Sequence, residues 1–141
     1  MSIDGVHHLA IVVKDLDDTM KFWHEMLGFE VTRVVDTEGF YSTYLMIPGF
    51  GELELTVRRG KLTVLDIDGT ETGLDHFALL VDDPMPYYEL VKQHGYQIDV
   101  PPTDMDPYGH CACIVRDPNG VMMEFLTPYG YKGYQPTGRG E

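Results

Sequence analysis

A chain of 141 residues is long enough for one compact domain and too short for two ordinary ones. Hydrophobic residues make up 43% of it and charged residues 23%, which is typical of a soluble globular protein and excludes a disordered one. The formal net charge of −13 repels phosphate backbones, so we expect neither nucleic acid nor an anionic membrane as a partner.

The composition also predicts a cytoplasmic protein. Apolar runs such as residues 9–13 are too short to span a membrane, and the first five residues lack the regions of a signal peptide. The only two cysteines, Cys111 and Cys113, lie two positions apart in a predicted strand, where they are poorly placed to bridge each other. We interpret them as buried free thiols in preference to a two-thiolate metal site.

One stretch of the sequence occurs twice. Residues 8–15 read HLAIVVKD and residues 76–83 read HFALLVDD, so histidine, alanine, valine and aspartate recur at the same offsets. Each copy is a short apolar run that begins at a histidine and ends in an acidic turn, as a buried strand leading into a helix would. The chain is therefore interpreted as a duplicated module, with His8 and His76 at equivalent places.

The first module is predicted to span residues 4–57 as a β-α-β-β-β unit. Asp15 is an N-cap candidate, apolar residues follow on one helical face, and Gly28 is the expected C′ residue. The strands are predicted at residues 3–13, 29–35, 41–47 and 52–57, and the helix at 16–27. A polar linker, residues 58–73, has room for a short strand at 62–67.

The second module, residues 74–128, repeats the same order. Its strands are predicted at residues 74–81, 96–100, 111–116 and 121–126, and its helix at 84–94. A long loop is expected at 101–109 and a turn at 117–120, where the sequence reads DPNG. Residues 129–141, rich in glycine and tyrosine, are predicted to be mobile or ordered only against a partner subunit.

Each module begins a strand at a histidine and ends one at a glutamate. Glu54 follows His8 by 46 positions, and Glu124 follows His76 by 48. If the sheets curve around a common cleft, two imidazoles and two carboxylates enter it, a donor set that suits a divalent Zn, Ni, Co, Fe or Mn ion. Single histidines and glutamates on strands are usually solvated, and it is the duplication that favours a site.

Two further residues bear on this candidate site. Glu52 shares a strand face with Glu54 and is the reserve carboxylate. His7 is predicted to lie on the strand face opposite His8, and it has no counterpart in the second module, where Asp75 takes its place. We therefore leave His7 outside the predicted site.

The chain resembles the vicinal oxygen chelate superfamily, which includes glyoxalase I, extradiol dioxygenases, methylmalonyl-CoA epimerases and bleomycin resistance proteins. The resemblance rests on HLAIVVKDLD at 8–17, FW at 22–23, LGF at 27–29, and DPNG at 117–120 four residues before Glu124. It implies an α+β fold of two tandem βαβββ modules forming a half-barrel metal-binding cleft in a single domain. It also implies a homodimer and one divalent metal at His8, Glu54, His76 and Glu124.

Within the superfamily, two histidines and two carboxylates resemble the ligand set of glyoxalase I. That resemblance implies lyase or isomerase chemistry on a small vicinal-oxygen substrate, with the metal as a Lewis acid and no organic cofactor. We assign the base role to Glu124 and the opposing role to Glu54. Val12 stands where glyoxalase I commonly has a glutathione-binding arginine, so a glutathione conjugate is not indicated as the substrate. Glu54 stands where methylmalonyl-CoA epimerases typically have glutamine, so the epimerase reaction is not indicated either.

Two alternatives remain open at this point. An extradiol-type Fe(II) dioxygenase needs two histidines and one carboxylate, which His8, His76 and Glu124 would supply if Glu54 stayed away. A metal-free resistance protein would sequester its ligand in a cleft lined by aromatic residues, which are abundant here.

Overall fold

The computed structural model describes residues 1, 4, 6–59, 76–106 and 108–140 of the chain. Two compact units make up the fold, Met1–Thr70 and Glu71–Glu141. The division between them falls inside the predicted linker. The short strand predicted at 62–67, and the first residues of the strands predicted to begin at 3 and 74, lie outside the described residues.

The first unit has the predicted β-α-β-β-β order. Its β1 pairs parallel with β4, and the strand order is β1-β4-β3-β2. The elements are β1 (His8–Val12), α1 (Leu16–Met20), a π-helical continuation (Lys21–Met26), β2 (Val31–Asp36), β3 (Phe40–Ile47) and β4 (Gly51–Arg58). The prediction of a helix after Asp15 is confirmed, since the Asp15 carboxylate accepts a hydrogen bond from the Asp18 N–H at 2.9 Å.

The helix of this unit determines which sheet face is left for polar side chains. Phe22 and Trp23 are fully buried, and so are Leu53 and Leu55 of β4. The α1 segment packs against β4. Because side chains alternate along a strand, β4 turns its leucines to the core and its glutamates to the other face.

The second unit repeats this topology with the strand order β5-β8-β7-β6 and a parallel β5–β8 pair. Its elements are β5 (Phe77–Leu80), α2 (Pro84–Gln93), β6 (Ile98–Met105), β7 (His110–Arg116), β8 (Met122–Pro128) and a 3-10 turn (Tyr131–Gly133). The predicted fold class, α+β with tandem βαβββ modules, is confirmed. No helix in the described ranges is long and apolar enough to cross a membrane.

The loop predicted at 101–109 is wrong over its first half, because β6 continues through Pro101 and Pro102 to Met105. Prolines usually end a strand because they cannot donate to a ladder. Here β6 is the outer strand of its sheet, and its pairing with β7 shifts register between Val100 and Thr103, where the prolines lie. An edge position and an irregular register are the two settings in which a strand accepts proline.

The tail makes contacts within the chain. Residues 137–139 are held within the chain, since their three backbone N–H groups donate to Asp104 Oδ2 at 2.8, 2.6 and 3.2 Å. Arg139 extends the contact through its guanidinium, which lies 3.2 Å from the Asp83 carboxylate. The glycine-rich composition does not reveal that a carboxylate on β6 accepts these three hydrogen bonds.

This contact predicts a pH-dependent stability. Burial alone would raise the pKa of Asp104, but the N–H donors of Thr137, Gly138 and Arg139 hold it below the ordinary value of 3.8. A group with a lowered folded-state pKa stabilises the fold above its unfolded pKa, and the stabilisation is lost as the pH falls through the folded value. Asp104→Ala should therefore lower the unfolding free energy by about 1 to 3 kcal/mol at pH 7.

Urea unfolding of wild type and Asp104→Ala at pH 7 and near pH 3 measures the effect. The difference between the two proteins should shrink at the lower pH. Glu38→Ala, which removes an exposed carboxylate from a turn in the first unit, is the matched control. Equal stability of Asp104→Ala and wild type at pH 7 would refute the stabilising role of this contact.

Candidate functional site

Strand register places the four candidate residues at matching positions in the two units. In the first unit, Ala10 of β1 lies opposite Glu54 of β4, and His8 is two residues before Ala10. In the second, Ala78 of β5 lies opposite Glu124 of β8. His76 is again two residues before the alanine. Each histidine therefore reaches its glutamate diagonally across a parallel strand pair.

The two histidine–glutamate contacts have nearly the same geometry. His8 Nε2 lies 3.6 Å from Glu54 Oε2, and His76 Nε2 lies 3.5 Å from Glu124 Oε1. The histidine side chains are 41% and 39% exposed, and the glutamate side chains 12% and 11%. Each unit thus presents an accessible imidazole beside a largely buried carboxylate.

These pairs fit the chemistry of a divalent metal. Two atoms each about 2.1 Å from one ion, on adjacent coordination positions, lie about 3.0 to 3.4 Å apart, close to the spacing seen here. Among the described residues, no group of three or more His, Cys, Asp or Glu side chains lies together. Each unit by itself therefore offers two ligands, one nitrogen and one oxygen.

In the first unit, hydroxyl groups surround the Glu54 carboxylate. Ser42 Oγ donates to Glu54 Oε1 at 2.8 Å and lies 2.9 Å from Thr56 Oγ1. Ser42 has one hydroxyl proton, and its two acceptors at these distances are Glu54 and Thr56. Tyr44 is the strand partner of Glu54, and burial, followed by a hydrogen bond with Glu54, raises the pKa of Tyr44. Glu54 is thereby fixed on the polar face of its sheet.

Glu52, the reserve carboxylate, is engaged elsewhere. Its side chain accepts hydrogen bonds from Thr32 at 2.5 Å and from Arg33 at 3.2 and 3.3 Å. Thr32 and then Arg33 hold the pKa of Glu52 below its ordinary value. The Arg33 guanidinium also lies 3.8 Å from the centroid of the Tyr44 ring. Glu54 is thus the carboxylate that meets the histidine.

In the second unit, the same positions hold apolar side chains. The strand partner of Glu124 is Ile114, where the first unit has Tyr44, and Ala112 takes the place of Ser42. Leu126 likewise takes the place of Thr56. Among the described residues of this unit, the structure gives Glu124 no hydroxyl donor. The two glutamates have equivalent backbones and different chemical surroundings.

His7 is closer to the site than the sequence indicated. Its Nδ1 lies 2.9 Å from His8 Nδ1, and the two ring centroids are 5.2 Å apart. The prediction that it faces away assumed strand alternation, but β1 begins at His8 and His7 precedes it. A partner on Nδ1 fixes the ring of His8 and leaves Nε2 directed at Glu54, which is how ligand histidines are commonly oriented.

Ser42, Tyr44 and Thr56 were not found from the sequence. Period-2 alternation places Ser42 and Tyr44 on one face of β3, and Glu54 and Thr56 on one face of β4. Which residues stand opposite each other depends on the register of the β3–β4 hairpin, and a four-residue connection of the kind at 48–51 does not fix that register by itself.

Comparisons with known proteins agree with this architecture. A probable lactoylglutathione lyase of Vibrio parahaemolyticus is 29% identical over 132 residues, covering 89% of this chain and 92% of that protein. A putative lactoylglutathione lyase of Brassica oleracea is 32% identical over 126 residues, or 84% of this chain and 43% of the plant protein. The chain thus spans less than half the length of this plant relative.

The glyoxalase family protein from Enterococcus faecalis has a solved structure that matches with a TM-score of 0.72 at 25% identity. The match covers 89% of this chain and 99% of that one. A family model described as Glyoxalase/Bleomycin resistance protein/Dioxygenase superfamily matches residues 5–125. With its tandem βαβββ modules and repeated His-x-Ala strands, the chain belongs to this superfamily.

Proposed function

We propose that this protein is a metal-dependent lyase or isomerase of the glyoxalase I type, acting on a small substrate with two vicinal oxygens. The observation that carries the proposal is the repeated contact of His8 with Glu54 at 3.6 Å and of His76 with Glu124 at 3.5 Å. Relatives named lactoylglutathione lyase support the same reaction class.

The proposed cofactor is one divalent ion, Ni, Zn, Co, Mn or Fe. Its proposed ligands are His8, Glu54, His76 and Glu124. The His8–Glu54 pair and the His76–Glu124 pair come either from one chain or from two chains of a dimer. Imidazole nitrogen and carboxylate oxygen suit all of these metals, and availability often decides among them.

The proposed chemistry is proton transfer between adjacent carbons of the substrate. When bound, the ion supplies Lewis-acid polarisation of two substrate oxygens, which acidifies the neighbouring C–H bond. Glu124 takes that proton as a general base and delivers it to the adjacent carbon. The apolar side chains of Ala112 and Ile114 beside it support this role, since they donate no hydrogen bond that would fix the Glu124 carboxylate. Glu54 remains the opposing, fixed carboxylate.

The surroundings of Glu54 favour this chemistry over an Fe(II) dioxygenase. A facial triad of His8, His76 and Glu124 requires that Glu54 stay away from the metal. Glu54 instead lies against His8 and accepts a hydrogen bond from Ser42. A metal-free sequestering protein has no chemical need for a histidine–glutamate pair in each module.

The first prediction from this proposal concerns metal content. The protein should purify with about one divalent ion per proposed four-ligand set, and His76→Ala should weaken binding by on the order of 100-fold because a ligand is lost. Elemental analysis and competition with a chelator measure this. His94→Ala is the control, since the His94 ring bonds only the Leu90 carbonyl at the end of α2 among its described contacts. Full metal content in His76→Ala would show that the proposed site is wrong.

The second prediction concerns the reaction. Protein loaded with Ni(II) or Zn(II) should exchange solvent deuterium into a 2-oxoaldehyde adduct without consuming oxygen. Glu124→Gln should slow the exchange by about 10² to 10⁴, the usual contribution of a general base. Glu89→Gln, an exposed change on α2, should leave the rate unchanged. Oxygen uptake with a catechol under Fe(II), lost in Glu124→Ala and retained in Glu54→Ala, would refute the lyase.

We also propose that the protein is a homodimer. In the first unit, β2 is an outer strand of its sheet and exposes Val31 and Val34. Exposed apolar side chains on a sheet edge are usually covered by another element or chain. Sedimentation equilibrium at micromolar concentration should give twice the monomer mass, and Val34→Lys should shift the equilibrium toward monomer. A monomeric wild type would contradict this proposal.

A further inference from the structure

The two units differ most at the positions that surround their glutamates. Tyr44 and Ser42 of β3 have Ile114 and Ala112 as their counterparts on β7, as judged by the residues paired with each glutamate strand. The position next to Tyr44 on the outer strand is Arg33, and its counterpart next to Ile114 is Val100. The histidine is kept, and the serine, tyrosine and arginine around Glu54 are replaced by apolar side chains around Glu124.

These contacts restrict the movement of Glu54. Ser42 is fully buried and donates to the carboxylate at 2.8 Å, and its oxygen lies 2.9 Å from Thr56 Oγ1. Tyr44 is nearly buried and is covered on one ring face by Arg33. To change rotamer, the largely buried carboxylate of Glu54 would give up its hydroxyl donors, which is unfavourable.

Among the described residues, Glu124 has no comparable restraint. Its polar contact is with His76 at 3.5 Å, longer than a good hydrogen bond. The apolar groups of Ile114 and Ala112 lose no hydrogen bond if the carboxylate turns away. Moving the Glu124 side chain therefore costs less free energy in lost hydrogen bonds than moving that of Glu54.

We propose that Ser42 and Tyr44 are positioning residues that keep Glu54 in its ligand position during turnover, whereas Ala112 and Ile114 leave Glu124 free to move and carry the proton. This inference rests on the proposed function. It divides two equivalent glutamates into a fixed ligand and a mobile base by the residues beside them.

The first experiment removes the two hydroxyls with Ser42→Ala combined with Tyr44→Phe. Titration with Co(II) alone should give a dissociation constant about 10- to 100-fold higher than that of wild type, the usual effect of losing partners of a ligand. The visible absorption spectrum of the Co(II) protein should change as well. The control is Tyr41→Phe combined with Thr43→Val, which removes the same two kinds of hydroxyl from the other face of β3 and should leave both readouts unchanged.

The second experiment builds the restraint into the second unit. Ala112→Ser combined with Ile114→Tyr should retain Co(II) affinity within about threefold, while kcat for deuterium exchange falls at least about 10-fold with little change in KM. Ala112→Ser combined with Ile114→Phe adds the same bulk without the tyrosine hydroxyl. The difference between the two variants measures the restraint, and thermal unfolding verifies that both fold.

Unchanged Co(II) affinity and spectrum in the Ser42→Ala, Tyr44→Phe protein would overturn the inference while leaving the proposed function intact. Equal kcat for the tyrosine and phenylalanine variants at position 114 would overturn the mobility of Glu124. Failure of wild type itself to bind Co(II) would overturn the proposed function, and the inference with it.

Discussion

The site depends on the parallel pairing of the first and last strands of each module. Neighbouring strands lie about 4.8 Å apart, and residues two positions apart on one strand share a face about 6.6 Å from each other. A side chain at the start of the first strand therefore reaches a diagonal neighbour on the last one. His8 meets Glu54 and His76 meets Glu124 in this way, at distances that differ by only 0.1 Å (3.6 against 3.5 Å).

The alanine in each His-x-Ala sequence is also needed for the diagonal contact between histidine and glutamate. Ala10 lies directly opposite Glu54, and Ala78 directly opposite Glu124. A longer side chain there would stand on the same face as the histidine and against the carboxylate, and would compete with the diagonal contact. The repeat visible in the sequence is thus the signature of a geometric requirement, which is why it located both pairs.

The sequence predicts the features that depend on residues close together in the chain. Repeats, alternation and helix caps are local, and they located most elements to within a few residues. The course of β6 through Pro101 and Pro102 depends on its place at the sheet edge, and the tail makes its hydrogen bonds with Asp104, more than 30 residues before it. Ser42 and Tyr44 were missed for the same reason, because their relation to Glu54 is set by strand register.

The acidic composition creates a further requirement that the fold meets through Arg33. Glu52 and Glu54 share one strand face in a chain of net charge −13, and two neighbouring carboxylates repel each other. Arg33 pairs with Glu52 and at the same time covers the Tyr44 ring. Arg33 therefore neutralises Glu52 and packs on Tyr44, the strand partner of Glu54. In the second unit Met122 takes the place of Glu52. The strand β8 therefore carries no second carboxylate beside Glu124 that an arginine at Val100 would have to neutralise.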